Sequence, residues 1–326
     1  MGGIFRLAAK ALLWLVGLLL LALLGFRVAA ELRETETAKP PEILIVPTPL
    51  GGVGVQESGP ADGPPILLVH GTAGWSGFWR NVSLHLADHG WRVIAVDLPP
   101  FGYSERDPQG RYDRIAQARR IEAVLAARAR RPAVVVGHSF GGGPATELAL
   151  LAPQRVRALV LVDAALGRLD PPLDRTLAER ALATPWVAQP VTAASITNPM
   201  LTGRLLRSML ARKDAAAPWI DAIAAPMRRE GTTEAYAAWL PNLFLADDGA
   251  ASRRSASLSA VQVPVALIWG EADMVTPIAQ GETLARLMRT RSFARLPDVG
   301  HIPHIEDEPG FLAALDAATA PERGAR

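Results

Sequence analysis

The chain has no cysteine among its 326 residues. That excludes disulfides, thiolate metal sites and a cysteine nucleophile, and it leaves the compartment open. Charged residues are scarce, at 20%, and the net charge is only +2. No dense basic run is present, so the electrostatic footprint of a nucleic-acid partner is missing. There is no internal repeat and no low-complexity tract, which sets aside solenoids and biased tails. From Leu166 to about Ala260 no stretch reads as a buried strand. What the chain does have is a globular composition, 49% apolar with 28 Gly and 27 Pro. Its length suits one large domain or two small ones with a substantial core.

The N-terminus departs from that average. Residues Ala11 to Phe26, "ALLWLVGLLLLALLGF", carry no charge, with Arg6 and Lys10 before them and Arg27 after. As a helix this run reaches roughly 24 Å, somewhat short of a ~30 Å hydrocarbon core. Lys10 and Arg27 can close the gap by snorkelling. Residues 1–30 are therefore expected to be a retained membrane anchor, with the membrane met through residues 11–26. The rival is a signal segment cut after "VAA" at Val28 to Ala30. In either case the basic flank favours the cytoplasmic side and the rest of the chain lies outside the cytoplasm. The polar stretch 31–41, ending in "KPP", reads as a linker. A chain starting near Lys39 would keep every candidate site residue named below.

Beyond the linker, short apolar runs alternate with helical patterns. "EILIV" and "VGVQE" read as an opening hairpin. "PPILLVHG", "WRVIAVD", "AVVVGHS", "VRALVLVDAA" and "VPVALIWGEAD" are continuous apolar runs, as expected of strands buried on both faces. "SFARLPDVGH" closes the series. Helical spacing appears in "FWRNVSLHLADHG", "RIAQARRIEAVLAARARR" and "GGPATELALLAP". Alternation of this kind predicts an α/β fold, a mostly parallel eight-stranded-type sheet with helices on both faces. The core is expected over 42–165 and 261–318. Residues 166–260, strand-free and rich in Trp and Met, are expected to form a helical cap over the strand ends. Trp186, Trp219, Trp239, Met200, Met209 and Met227 fall there, and most should pack within it while some line a pocket.

The chemistry centres on "VVVGHSFGGG", Val134 to Gly143. Gly137-x-Ser139-x-Gly141 follows a strand and precedes a helix, the setting of a nucleophile elbow. A serine needs a base, and histidine is the usual one at neutral pH. His85 and His89 fall on a surface helix, and His138 should point away from the hydroxyl. His301, in "PDVGHIPHIEDEP" after the last strand, is placed to serve, with His304 expected to pack or hydrogen-bond. The acid that holds the base is expected to be Asp273, ending "VALIWGEAD"; Asp163, ending "VLVDAA", is the alternative. Asp97 is expected to hold a turn. Oxyanion donors are expected from the backbone N–H of Phe140 and, after "ILLVHG", of Thr72.

In order along the chain, "HGTAGWS", "DLPPFGYS", "GHSFGG", "WGEADMVTP" and "GHIPHIEDEP" resemble the α/β-hydrolase fold superfamily, in its serine-nucleophile branch with a helical cap. The resemblance covers about residues 42 to 318, and the order Ser139, Asp273, His301 matches the family's nucleophile, acid and base. Pro100 stands where a glycine is usual. The resemblance implies a serine hydrolase acting through an acyl-enzyme on a small-molecule ester with an apolar portion, and implies no cofactor or metal. A carbon–carbon bond hydrolase or a cofactor-free haloperoxidase would use the same triad. A non-catalytic binding protein is the reading from another class, and the complete triad argues against it.

Overall fold

The computed structural model describes residues 2–170, 177–244 and 249–323. Its centre is an eight-stranded sheet in the order β1-β2-β4-β3-β5-β6-β7-β8. The strands are β1 (Leu44–Val46), β2 (Val53–Ser58), β3 (Pro65–Val69), β4 (Arg92–Val96), β5 (Ala133–His138), β6 (Val156–Val162), β7 (Val265–Gly270) and β8 (Ser292–Leu296). β2 runs antiparallel to β1 and β4, and the remaining neighbours are parallel.

The apolar runs are strands because both of their faces are covered. Side chains alternate across a strand, and here the alternate residues enter two separate cores. Leu67, Val69, Val135 and Leu161 join one, with Ile121 and Leu148 from helices beneath. Ile66, Leu68, Val136 and Val160 join the other, with Leu86 and Phe311. In chain order the helices before β6 are α1 (Gly2–Arg33), which joins neither of these cores, and α2 (Arg80–Asp88), α3 (Arg114–Arg128) and α4 (Gly142–Leu151), which do. Between β6 and β7 the described residues form α5 (Leu177–Leu182), α6 (Pro185–Ala194), α7 (Pro199–Met209), α8 (Ile220–Ala224), α9 (Thr232–Trp239), α10 (Pro241–Phe244) and α11 (Ser255–Ser259), with no strand among them. α12 (Ile278–Met288), α13 (Pro303–Glu306) and α14 (Glu308–Arg323) complete the chain.

The N-terminal helix runs on past residue 30. It continues to Arg33, because "ELR" consists of good helix formers and no breaker precedes Pro40. Neither the last turns of this helix nor the residues after it hang free. Arg27 Nε donates to Gln189 Oε1 at 3.1 Å, and Ala30 is fully buried. The Glu34 carboxyl is buried and accepts from Thr233 N at 3.0 and 3.1 Å and from the Thr233 hydroxyl. Glu36 and Arg229 form a strand-like bridge. The expected linker thus begins as helix and goes on as a strap against the segment between β6 and β7. Phe5–Arg33 is one helix long and apolar enough to cross a membrane, with a mean hydropathy of 2.5.

Candidate active site

β5 ends at His138, and Ser139 follows on a left-handed backbone with φ +50°. That conformation is strained for a residue with a side chain and marks a functional turn when the surroundings hold it. Two glycines hold it. A Cβ on Gly137 would meet the Ala145 Cβ at 2.8 Å, and one on Gly141 would meet the His70 carbonyl oxygen at 2.5 Å. Larger residues at either place would push the turn away from β3 or the helix off the strand. Ala165 N donates to Ser139 O at 2.8 Å, tying the turn to the end of β6.

The loops after β7 and β8 bring two further side chains to this hydroxyl. His301 Nε2 lies 2.8 Å from Ser139 Oγ. His301 Nδ1 lies 2.8 Å from Asp273 Oδ2. A carboxylate oxygen accepts, so Nδ1 carries the ring proton and Nε2 accepts from the serine O–H. The ring is also fixed through its backbone. His301 N donates to Met209 O at 2.9 Å, and His138 Nε2 donates to His301 O at 2.8 Å. Asp273 Oδ1 accepts from Val275 N at 2.7 Å and Thr276 N at 2.9 Å, and Oδ2 accepts from Thr276 Oγ1 at 2.6 Å. Burial pushes the Asp273 carboxyl up, but the His301 hydrogen bond and charge and the Thr276 donors outweigh it, leaving it below the ordinary value.

Thr276 escaped the reading of the sequence. The signal for it is "DMVT": an aspartate whose oxygens take the N–H groups two and three residues on makes an Asx-type turn. Asp163 is also here, within 4.8 Å of Asp273 and His301 counted between ligand-type atoms. It makes no hydrogen bond to a histidine. Its Oδ1 accepts from Gly270 N at 2.9 Å.

The other histidines take supporting places. His70 Nε2 accepts from Leu98 N at 2.9 Å, so its Nδ1 carries the proton and donates to Gly71 O at 2.7 Å. Burial pushes His70 down to about 4. Burial, with the charge of His301 adding to it, pushes His138 down to about 3. His304 stacks on Trp79 with ring centroids 4.2 Å apart, and burial holds it well below its usual value. His85 pairs with Asp316 at 2.8 Å on the surface, and His89 is exposed. Asp97 closes the turn after β4, accepting from Ser76 N at 2.6 Å and Tyr103 N at 2.7 Å.

A cavity of about 30 Å³ opens on the serine, lined by Gly71, Thr72, Phe78, Ser139, Met209, Ile223, His301 and Ile302 among others. Thr72 therefore sits beside Ser139, and the Phe140 ring packs edge-on to Phe101 and Trp239. Of the aromatic and Met residues expected to pack between β6 and β7, Trp219, Trp239 and Met227 are buried, and Met209 lines the cavity. Trp186 and Met200 do neither, being 76% and 84% exposed.

A mostly parallel sheet, a strained serine turn after β5, and an aspartate and a histidine supplied by the loops after β7 and β8 mark the architecture of an α/β hydrolase. The family model for the alpha/beta hydrolase fold matches residues 64–308. The chain belongs to that family and is a hydrolase by membership. A 2-hydroxymuconate semialdehyde hydrolase from Pseudomonas sp. (strain CF600) is 42% identical over 107 residues, 32% of this chain and 37% of the relative. The pimeloyl-[acyl-carrier protein] methyl ester esterase of Chromobacterium violaceum is 29% identical over 274 residues, 78% of this chain and 93% of that protein. The matches to several other curated relatives span between about a third and a half of their length. The crystal structure of a membrane phospholipase A, a bacterial virulence factor, superposes with a TM-score of 0.66 at 22% identity over 99% of this chain and 97% of that one.

Proposed function

We propose that the protein is a membrane-anchored serine ester hydrolase. The observation that carries the reading is the unbroken relay Ser139 Oγ to His301 Nε2 at 2.8 Å and His301 Nδ1 to Asp273 Oδ2 at 2.8 Å, opening on a largely apolar cavity. In this reading His301 takes the proton as Ser139 attacks the ester carbonyl, and Asp273 stabilises the imidazolium that forms. The N–H groups of Phe140 and Thr72 receive the oxyanion, each worth roughly 10²–10³ in rate. His301 returns the proton to the leaving alcohol, an acyl-enzyme remains, and the same histidine activates the water that releases it. The segment 166–260 acts as a cap that selects the acyl group, its Met209 and Ile223 joining Phe78 and Ile302 from outside the segment in lining the cavity at the serine.

The packing of Ala30 and Glu34 against the cap supports a retained anchor over a cleaved signal. Cutting after Ala30 would sever a helix in the middle of its contact with the cap. Upstream, Leu12, Trp14, Leu18 and Leu21 are all exposed, an apolar surface suited to lipid.

A second reading has one observation in its favour, the 42% identity with a 2-hydroxymuconate semialdehyde hydrolase. Carbon–carbon cleavage would use the same three residues. The test is a panel of p-nitrophenyl esters and a vinylogous diketone, run with wild type and Ser139→Ala, alongside fluorophosphonate labelling. Ester turnover lost in Ser139→Ala, with the label on Ser139, supports the proposal. Turnover of the diketone alone moves it to the second reading, and a label elsewhere on active protein removes it.

A further inference from the structure

Asp163 is a buried acid with one unanswered oxygen. It ends β6, is fully buried and holds a left-handed φ of +42°. Its N–H donates to Ile268 O at 3.1 Å, and its carbonyl lies 3.1 Å from Thr276 Oγ1, whose one proton goes to Asp273. Its Oδ1 accepts from Gly270 N at 2.9 Å, while Oδ2 meets no donor. What lies beside the Asp163 side chain is the carboxyl of Asp273, with ligand-type oxygens of the two within 4.8 Å of each other. Asp273 is itself already engaged by His301 and by three donors from Val275 and Thr276. Two acceptor groups facing each other in a buried place need a proton between them.

Resting on the triad reading above, we propose that Asp163 works as a neutral carboxylic acid whose Oδ2–H donates to Asp273, making it a positioning residue for the triad acid. Only one of the two can hold the proton, and the surroundings choose between them. Asp273 has donors on both oxygens and the His301 ring beside it, all favouring its ionised form. Asp163 has a single N–H donor. The titratable groups near it are Asp273 and His301, within 4.8 Å, and Glu306, of which the two acids oppose a second negative charge. Burial foremost, then the Asp273 charge, pushes Asp163 well above the ordinary carboxyl value. The role follows from geometry. A fixed donor on Asp273 holds its plane toward His301 Nδ1 and draws off part of its charge. It thereby keeps the histidine from becoming too basic to release its proton.

The test is Asp163→Asn, Asp163→Ala and wild type, each checked for folding by thermal melting. Asparagine keeps the acceptor for Gly270 N and supplies a permanent donor toward Asp273. Asp163→Asn is expected to retain kcat/KM within about threefold and to leave the acid limb of the pH profile in place. If Asp163 were ionised, neutralising it within 4.8 Å of the His301 and Asp273 atoms would move that limb down by about two pH units. Asp163→Ala removes the donor, so kcat should fall about tenfold, on the scale of one lost buried hydrogen bond, with KM unmoved and the acid limb shifted up. Infrared difference spectra at neutral pH give a readout independent of turnover: wild type should show the carbonyl stretch of a protonated carboxyl, lost in Asp163→Asn. Absence of that band, a downward shift of the limb in Asp163→Asn, or an Asp163→Ala variant as active as wild type each overturns the proposal. The band persisting in a protein that turns over no substrate would leave the protonated acid in place and strike the ester-hydrolase reading instead.

Discussion

Removing the N-terminal residues tests whether the helix is an appendage or part of the cap. Two truncations separate the readings. A chain starting at Ala22 loses most of the exposed apolar run but keeps Arg27, Ala30, Glu34 and Glu36. A chain starting at Lys39 loses all four, although every residue of the candidate site remains. The second truncation strips three hydrogen bonds from Thr233 and the Arg27 contact with Gln189. It also uncovers the parts of α6 and α9 that α1 packs against, where Ala30 is buried. A buried donor left without its acceptor costs about 1–3 kcal/mol, and water entering the uncovered cleft recovers part of that. The point substitution Glu34→Ala isolates the term, because the helix stays to keep water out of the cleft. It should cost about 2 kcal/mol, a loss of a few degrees in Tm for a domain of this size. The assay is thermal melting followed by intrinsic tryptophan fluorescence, with p-nitrophenyl ester turnover measured on the same samples. The chain starting at Ala22 should match full-length protein in detergent. The chain starting at Lys39 should melt lower and lose selectivity among acyl chains before it loses fluorophosphonate labelling. Equal Tm and equal selectivity for the two truncations would refute the idea that the N-terminal strap is part of the cap.

Other consequences are open to direct measurement. Asp273→Asn keeps size but removes the charge that stabilises the imidazolium, so kcat should fall by about 10⁴; circular dichroism should show the fold unchanged, and a loss below tenfold would contradict the role. Gly141→Ala should yield insoluble or inactive protein, because its Cβ would sit 2.5 Å from the His70 carbonyl oxygen and 2.8 Å from that of Val69, backbone atoms that cannot swing aside; full activity would disprove the close approach. Met209→Ala and Ile223→Ala should change relative rates among acyl chain lengths more than the rate of Ser139 labelling, which a chain-length series would read. Acid should destabilise the fold through histidines buried in neutral form: His70 and His138 titrate near 4 and 3 in the native state but near 6.5 when unfolded. The unfolded chain therefore binds more protons between those values, so stability falls as pH drops below about 6.5, by about 2 kcal/mol for each histidine at pH 5. Urea midpoints at pH 7.5 and 5 measure this, and His70→Gln should shrink the difference.

The order of strands and helices was legible because it depends on short-range patterns. "AVVV" is uniformly apolar, and its shortness, its β-branched residues and the glycine after it suit a strand buried on both faces, where β5 lies. Ser139 was legible for a similar reason, since glycine spacing records a steric requirement that belongs to the turn itself. The role of Thr276 was half legible, through the Asx pattern beginning at Asp273. The strap over Glu34 and Glu36 was not, because its partners Arg228, Arg229 and Thr233 lie nearly two hundred residues away, and a polar stretch ending in two prolines looks the same whether it packs or hangs free. Trp186 and Met200 misled in the other direction, for apolar identity does not say which side of a helix is covered.

Taken by itself, the sequence determined the class of fold, the turn that carries Ser139 and the order of the three polar residues that follow the strands. These are local matters of periodicity, backbone sterics and chain order. Which aspartate meets His301 was decided only by the tertiary structure. Asp163 and Asp273 both end strands at the same edge of the sheet, with identical chemistry. The turn after β7 aims one carboxyl at the imidazole, and the Gly270 N–H, with the left-handed backbone at the end of β6, holds the other against its neighbour. That difference is a matter of a few ångströms between loops far apart in the chain, and no property of either residue alone encodes it.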